Sequence, residues 1–382
     1  MISQRAAEVT PFLVMEVLEE AQRLEREGAH VIHMEVGEPD FDTPGRVVEG
    51  AVKALREGHT HYTHSMGLHD LREAICDEYG QRYGAKVEPE QVVVTQGTSP
   101  ALFLVFGAIL EPGDEVILSN PYYACYPNYI RFAGGVPVYI DISEEEGYQL
   151  RPEAIAQRIT PRTKAILVNS PANPTGVVLD ADRLAAIADL GPLVVSDEIY
   201  HGLVYEGHEH SILEYTNHAI ALNGFSKQFA MTGWRLGYVI APPAMARALQ
   251  KVHQNFFISA NSFVQHGGIA ALREPECRAQ VEAMRQTYAD RRRYLLERLT
   301  GMGLSIPHPP TGAFYALVNF RRYCQNSLAF AYELLREAKV AVAPGIDFGS
   351  NAEGYLRFSY ATSRENIAEG MDRLERYLAN RG

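Results

Sequence analysis

Long apolar runs, clustered cysteines and positive charge are what this 382-residue sequence has least of. Its longest apolar run, ALFLVFGAIL at 101–110, is about half the length that a bilayer-spanning helix needs. The N-terminus has no basic region followed by an unbroken apolar stretch, because PFLVMEV is interrupted at Glu16 and continues into Glu19 and Glu20; it reads as a helix and not as a secretory leader. The four cysteines, Cys76, Cys125, Cys277 and Cys324, are scattered and form no C-x-x-C pair. That excludes a disulfide framework and a zinc site of familiar spacing, and fits a reducing compartment. A net charge of −12 argues against the basic face that nucleic-acid binding requires. The one basic run, Arg291-Arg292-Arg293, lies in a helical pattern ending at Gly301 and is expected to be a solvated helix face. A cytoplasmic protein is expected, with no nucleic-acid or membrane partner.

What is present is a globular composition, 46% hydrophobic and 21% charged, with room for two or three domains and no low-complexity linker or repeat. Short apolar runs recur at 92–95 (VVVT), 115–119 (EVILS), 164–169 (KAILVN), 192–197 (PLVVSD), 219–223 (AIALN) and 236–241 (LGYVIA). Several are apolar throughout, as strands covered on both faces are, and helical patterns such as ADRLAAIADL separate some of them. The alternation predicts an α/β fold: a large domain over 45–280 with a mainly parallel sheet between helices. A smaller α/β domain is expected from both chain ends, 1–44 and 281–382. Its signals are a helix at 280–300, the strand-like AFYALV (313–318), a helix at 328–338, KVAVAP, YLRFSY and a last helix capped by Ser363. Near the start, Thr10 is placed to cap another amphipathic helix with Pro11 at its first position.

Polar residues collect at the C-terminal ends of the apolar runs, where open α/β sheets place ligands. Gly97-Thr98-Ser99 follows the first run, Asn120 to Tyr123 the second and Asn173 to Gly176 the third; Asp197-Glu198 ends the fourth and Ser226-Lys227 follows the fifth. Five strand ends then converge on one mouth.

Each of these residues has an ordinary reading and a chemical one. A lone lysine in a turn is usually a solvated charge, but Lys227 sits among Phe225, Phe229, Met231 and Trp234, with Arg235 eight residues further on. A free lysine titrates at about 10.4 and is a poor nucleophile unless apolar surroundings and a neighbouring cation lower that value. Thr98 and Ser99 open a helix, whose N-terminal amides suit a phosphate if Arg235 lies close, although both residue types are also common caps. Asp197 ends a buried strand and needs a cation or donors; a protonated ring nitrogen is one such partner, a structural loop another. Tyr200 and Asn173 are placed to donate to a ring oxygen and Tyr123 to stack on the ring, though such a tyrosine is often mere packing. An imine-forming lysine, a phosphate cradle, a pyridinium partner, ring-oxygen donors and a stacking ring are together what pyridoxal 5'-phosphate needs.

The sequence resembles the class I/II, fold-type I aminotransferases over nearly its whole length. The matching segments are MEVGEPDFDTP (34–44), HYTHSMGLHDLREAI (61–75), PANPTG (171–176), SDEIY (196–200), FSKQFAMTGWRLGY (225–238) and YLRFSYA (355–361). The resemblance implies that Lys227 forms the internal aldimine with pyridoxal phosphate and then acts as base and acid. It implies that Asp197 keeps the pyridine nitrogen protonated, that Asn173 and Tyr200 hold the ring hydroxyl oxygen, and that Tyr123 stacks on the ring. Thr98, Ser99 and Arg235 would bind the phosphate, with Tyr62 arriving from the other subunit of a homodimer, and Gly37, Asn173 and Arg357 would hold the substrate. The expected activity is ping-pong transfer of an amino group between an amino acid and a 2-oxo acid.

Two departures stand out. Gly224 replaces a serine found in many relatives, removing one phosphate hydroxyl, and no cation for a distal substrate carboxylate is recognisable by motif. A carbon–sulfur β-lyase on the same scaffold is the alternative activity, because the same electron sink serves both reactions. A non-enzymatic regulator ranks last, since Met34 already begins the first family motif. His59, His61, His64 and His69 match no zinc spacing and are expected in a loop around the dimer interface.

Overall fold

The computed structural model describes residues 2–304 and 306–381. In chain order the strands are β1 (Ile32–His33), β2 (Val92–Thr95), β3 (Glu115–Asn120), β4 (Val136–Asp141), β5 (Thr163–Asn169), β6 (Leu193–Asp197), β7 (Ala219–Gly224), β8 (Gly237–Ile240), β9 (Tyr315–Asn319), β10 (Val340–Ala341), β11 (Ala343–Pro344) and β12 (Tyr355–Ser359). Seven form one sheet in the order β2-β8-β7-β6-β5-β3-β4. All neighbours in it are parallel except β8, which runs antiparallel to both β2 and β7. All six apolar runs become strands because both sheet faces are covered by helices, leaving β2, β6, β7 and β8 buried at every position. The seventh strand, β4, has no such run; it lies at the sheet edge, mostly half-exposed, with Pro137 where an edge tolerates it.

The second sheet is antiparallel, β11-β12-β9, and β1 pairs with β10 in a separate parallel ribbon. Helices Ser327–Glu337 and Arg364–Ala379 pack on them around a core that includes Phe314, Phe320, Phe330, Phe358 and Met371. The 27-residue helix Pro275–Gly301 joins the two regions: Cys277 and Val281 enter the core of the large sheet, Tyr288, Leu295 and Leu299 that of the small one.

Two local expectations are corrected. Thr10 does not cap the helix Leu13–Arg26; its amide and hydroxyl both donate to Asn128 Oδ1, and the helix begins at Leu13 with no side chain of its own at the cap. Asp347, more than three hundred residues away, supplies the cap instead, its two carboxylate oxygens accepting from Leu13 N and Val14 N at 3.1 Å each. The arginine run is not a solvated face either. Arg291 and Arg292 are buried, Arg291 paired with Asp40 at 2.7 Å and Arg292 with Glu206 at 2.7 Å, while Arg293 alone faces outward.

Candidate active site

A cavity of roughly 360 Å³ opens at the C-terminal ends of β2, β5, β6 and β7 and is closed from the other side by residues near β1, β9 and β12. Its lining includes Gly37, Thr98, Ser99, Tyr123, Asn173, Asp197, Tyr200, Lys227, Arg235 and Arg357. Tyr62 is not in the lining; it stands 82% exposed on the surface of the chain. Open ends of β2, β5, β6 and β7 converge because parallel strands all deliver their following loops to one edge of the sheet.

At one end of the cavity β2 turns through Gly97 into the helix Thr98–Ile109. Gly97 has φ 99°, where an L side chain is strained, and a Cβ there would stand 2.7 Å from Arg235 Nη2. The helix N-terminal amides, the Thr98, Ser99 and Ser226 hydroxyls and the Arg235 guanidinium therefore face one space, a cradle for a phosphate dianion. Gly224 lies outside it: a Cβ at that position would sit 3.0 Å from both Gly237 Cα and Leu236 O on the antiparallel neighbour, so this chain has no room for a serine there without a shift.

Asp197, the last residue of β6, is 4% exposed. Tyr126 donates its hydroxyl to Oδ2 at 2.7 Å and Ile199 N donates to Oδ1 at 3.2 Å. Burial nevertheless dominates and pushes the carboxyl up to about 6, against the lowering effect of those two bonds and of Lys227. A cation placed at this carboxylate would relieve the burial penalty, which is what a pyridinium nitrogen supplies. Tyr200 and Tyr315 share a hydrogen bond between hydroxyls at 2.8 Å beside the same space, and the Tyr123 ring meets Tyr126 edge-on.

Lys227 lines the cavity, half-buried as a whole residue, with its ammonium densely surrounded by protein atoms. Nζ donates to a neutral acceptor, Gly37 O, at 2.6 Å. Burial is the largest influence on the ammonium; Glu38 opposes it, Arg357 and Arg235 reinforce it, and the net result is a pKa pushed down to about 8. Facing Lys227 is Arg357, 2% exposed, whose guanidinium is sandwiched between the Tyr315 ring at 4.3 Å and the Phe348 ring at 4.7 Å. Nη1 donates to Asn173 Oδ1 at 2.8 Å and Nη2 to Glu35 O, yet Nε is buried without a partner. Arg357 also lines the cavity, and a guanidinium in a cavity wall suits the planar carboxylate of an anionic ligand.

Sequence reasoning had no signal for Tyr315, which belongs to no recognised motif segment. Tyr126 had a faint one, as the third residue after Tyr123 and hence a neighbour on one turn. The histidines do not gather: His59 packs on His266 at 4.4 Å, His64 Nδ1 accepts from Met66 N, and His69 pairs with Glu73 at 3.5 Å. Among the described residues no three His, Cys, Asp or Glu side chains converge as metal ligands would.

A lysine of lowered pKa between a phosphate cradle, a buried carboxylate and a buried arginine is the arrangement of an enzyme that uses pyridoxal phosphate. The comparisons carry this further. The family profile for aminotransferase class I and II matches residues 29–374, so the chain belongs to that family. It is 43% identical to an aspartate/prephenate aminotransferase of Thermus thermophilus, the alignment covering 99% of this chain and 98% of the relative. It is 42% identical to a (5-formylfuran-3-yl)methyl phosphate transaminase of Methanocaldococcus jannaschii, covering 99% and 100%. A solved structure of a Thermus thermophilus aspartate aminotransferase double mutant superposes with a TM-score of 0.95 at 42% identity, covering 98% of this chain and 99% of the other. The protein is an enzyme, an aminotransferase dependent on pyridoxal phosphate.

Proposed function

We propose that Lys227 is the proton-carrying group of an amino transfer between an amino acid and a 2-oxo acid, with the other cavity residues dividing the binding work. Pyridoxal phosphate, when bound, supplies an electron sink that stabilises negative charge on the donor's α-carbon. Thr98, Ser99, Ser226, the helix amides and Arg235 take its phosphate; Asp197 holds the proton on its ring nitrogen. Asn173 and Tyr200 hold the ring hydroxyl oxygen and Tyr123 covers the ring. Arg357 and Gly37 bind the donor's α-carboxylate, which turns the α C–H toward Lys227 Nζ. The neutral amine accepts that proton and later returns it, and the second oxo acid repeats the sequence in reverse in the same site, a ping-pong cycle.

The observation that carries the reading is the lowered Lys227 ammonium, about 8, in one cavity with Asp197, Arg235 and Arg357. Lys227→Ala is expected to reduce turnover by about 10⁴-fold, the upper range for loss of a general acid–base group. Near-normal turnover by the purified variant would sink the assignment.

Three further parts belong to the same reading. The active form is a homodimer in which Tyr62 of each subunit completes the other's phosphate site; exposed Tyr62 and an exposed apolar row on the helix Gly45–Arg56, Val48, Val52 and Leu55 at helical spacing, support it. Residues 45–280 act as the cofactor-binding unit and 1–44 with 281–382 as the smaller one, supported by a core drawn wholly from the first, with Val105, Leu118 and Val239, and another drawn wholly from the second, with Val17, Leu24 and Leu335. The enzyme works in the cytoplasm, supported by four unpaired cysteines; no helix among the described residues is long and apolar enough to cross a membrane.

A further inference from the structure

The wall of the cavity beyond Arg357 and Lys227 is built by the helix Leu13–Arg26, the residue before it and the segment after β1. Phe12, Val14, Met15, Leu18 and Val36 supply it. Val14 and Leu18 are one turn apart, as are Met15 and Leu18, so the helix presents a continuous apolar face. Phe12 is held in place by edge-on packing against Tyr123 at 6.0 Å.

Three cations line the cavity among the described residues: Lys227, Arg235 and Arg357. The proposed function, on which this inference rests, uses all three, leaving none of this chain's own cations in the cavity for a charge on the donor's side chain. The N-terminal amides of the helix Leu13–Arg26 would be the remaining anion-binding element of that wall, but Asp347 already occupies Leu13 N and Val14 N with both its oxygens. Glu38, which also lines the cavity, is itself an acid and accepts a hydrogen bond from Thr232. A side-chain carboxylate entering this wall would lose water, gain no donor from its apolar side chains and share the cavity with the Glu38 carboxylate.

We infer that the amino donor carries an uncharged apolar side chain, aliphatic or aromatic, and that Phe12, Met15, Leu18 and Val36 select it over the dicarboxylic amino acids. Transfer of such a side chain from water to this wall is favourable by its own hydrophobic burial, whereas aspartate and glutamate are opposed at the same place.

The test uses the purified holoenzyme without any oxo acid, mixed rapidly with leucine, methionine, phenylalanine, aspartate or glutamate, and follows loss of the cofactor's yellow absorbance. The second-order rate constants for the best apolar donor are expected to exceed those for aspartate and glutamate by tenfold or more. Equal or faster reaction with aspartate or glutamate overturns the substrate class while leaving the transfer function intact, and would point to a cation delivered by the partner subunit. Failure of every donor overturns the transfer function on which the inference stands. Met15 is 43% exposed, so Met15→Arg is compatible with folding. It is expected to raise the aspartate-to-phenylalanine ratio by tenfold or more, and an unchanged ratio removes Met15 from the donor's wall and overturns the assignment.

Discussion

Burial does opposite things to the two ionisable groups at the centre of the cavity, and the proposed chemistry uses both effects. It disfavours the charged form of each, raising Asp197 to about 6 and lowering Lys227 to about 8. For Asp197 a bound cation would offset the penalty further than its two hydrogen bonds do, which suits the carboxylate to the protonated ring of the proposed function. For Lys227 the consequence is a neutral amine available near physiological pH. The sign is testable on the apoprotein: only the neutral amine attacks an aldehyde, so the rate of cofactor loading should climb with pH and level off above about 8. An unshifted lysine would keep climbing toward about 10.4. Loading followed by absorbance across that range separates the two, and a profile still rising at pH 10 would contradict the buried environment. The lysine, Asp197, Arg235 and Asn173 were legible as residues because each stands beside a strand end or in an unusual apolar setting. Tyr126 and Tyr315 were not, because a tyrosine's partner is invisible until the chain has folded.

At the scale of elements, apolar runs predicted the buried strands well because a strand covered on both faces leaves its signature in every residue. The edge strand β4 escaped, since half-exposed positions carry no such signature. Helix ends were less legible. Thr10 had the right chemistry for a cap, and Asp347 took the role because the fold brings a half-buried carboxylate of the 3-10 turn Gly345–Phe348 against two unsatisfied amides. Asp347→Ala should therefore cost about 1 kcal/mol, the usual worth of a lost helix cap, read as a lower midpoint in urea unfolding. Thr10→Ala should leave that midpoint within about 0.5 kcal/mol of the parent, as expected of a surface position. The reverse ordering would mean that Thr10 caps the helix after all.

At the scale of the whole molecule, residues of one chain line the cavity, and Tyr62 and the row Val48, Val52 and Leu55 stand exposed on its surface. A second copy of the chain covering that row would bury apolar area and bring Tyr62 to its neighbour's phosphate. Val52→Asp should then weaken assembly by tenfold or more in sedimentation equilibrium, with activity falling on dilution. A monomeric parent protein would remove the basis of that expectation.

The sequence by itself determined the alternation of strands and helices, the placing of polar residues at strand ends and the family, because these depend on residues close together in the chain. Only the tertiary structure decided that Arg357 is caged by Tyr315 and Phe348 with one nitrogen unpaired, that Asp347 holds the helix Leu13–Arg26, and that this helix presents an apolar wall to the cavity. Those facts arise from groups far apart in sequence, whose burial and pairing are set by packing and not by any local pattern.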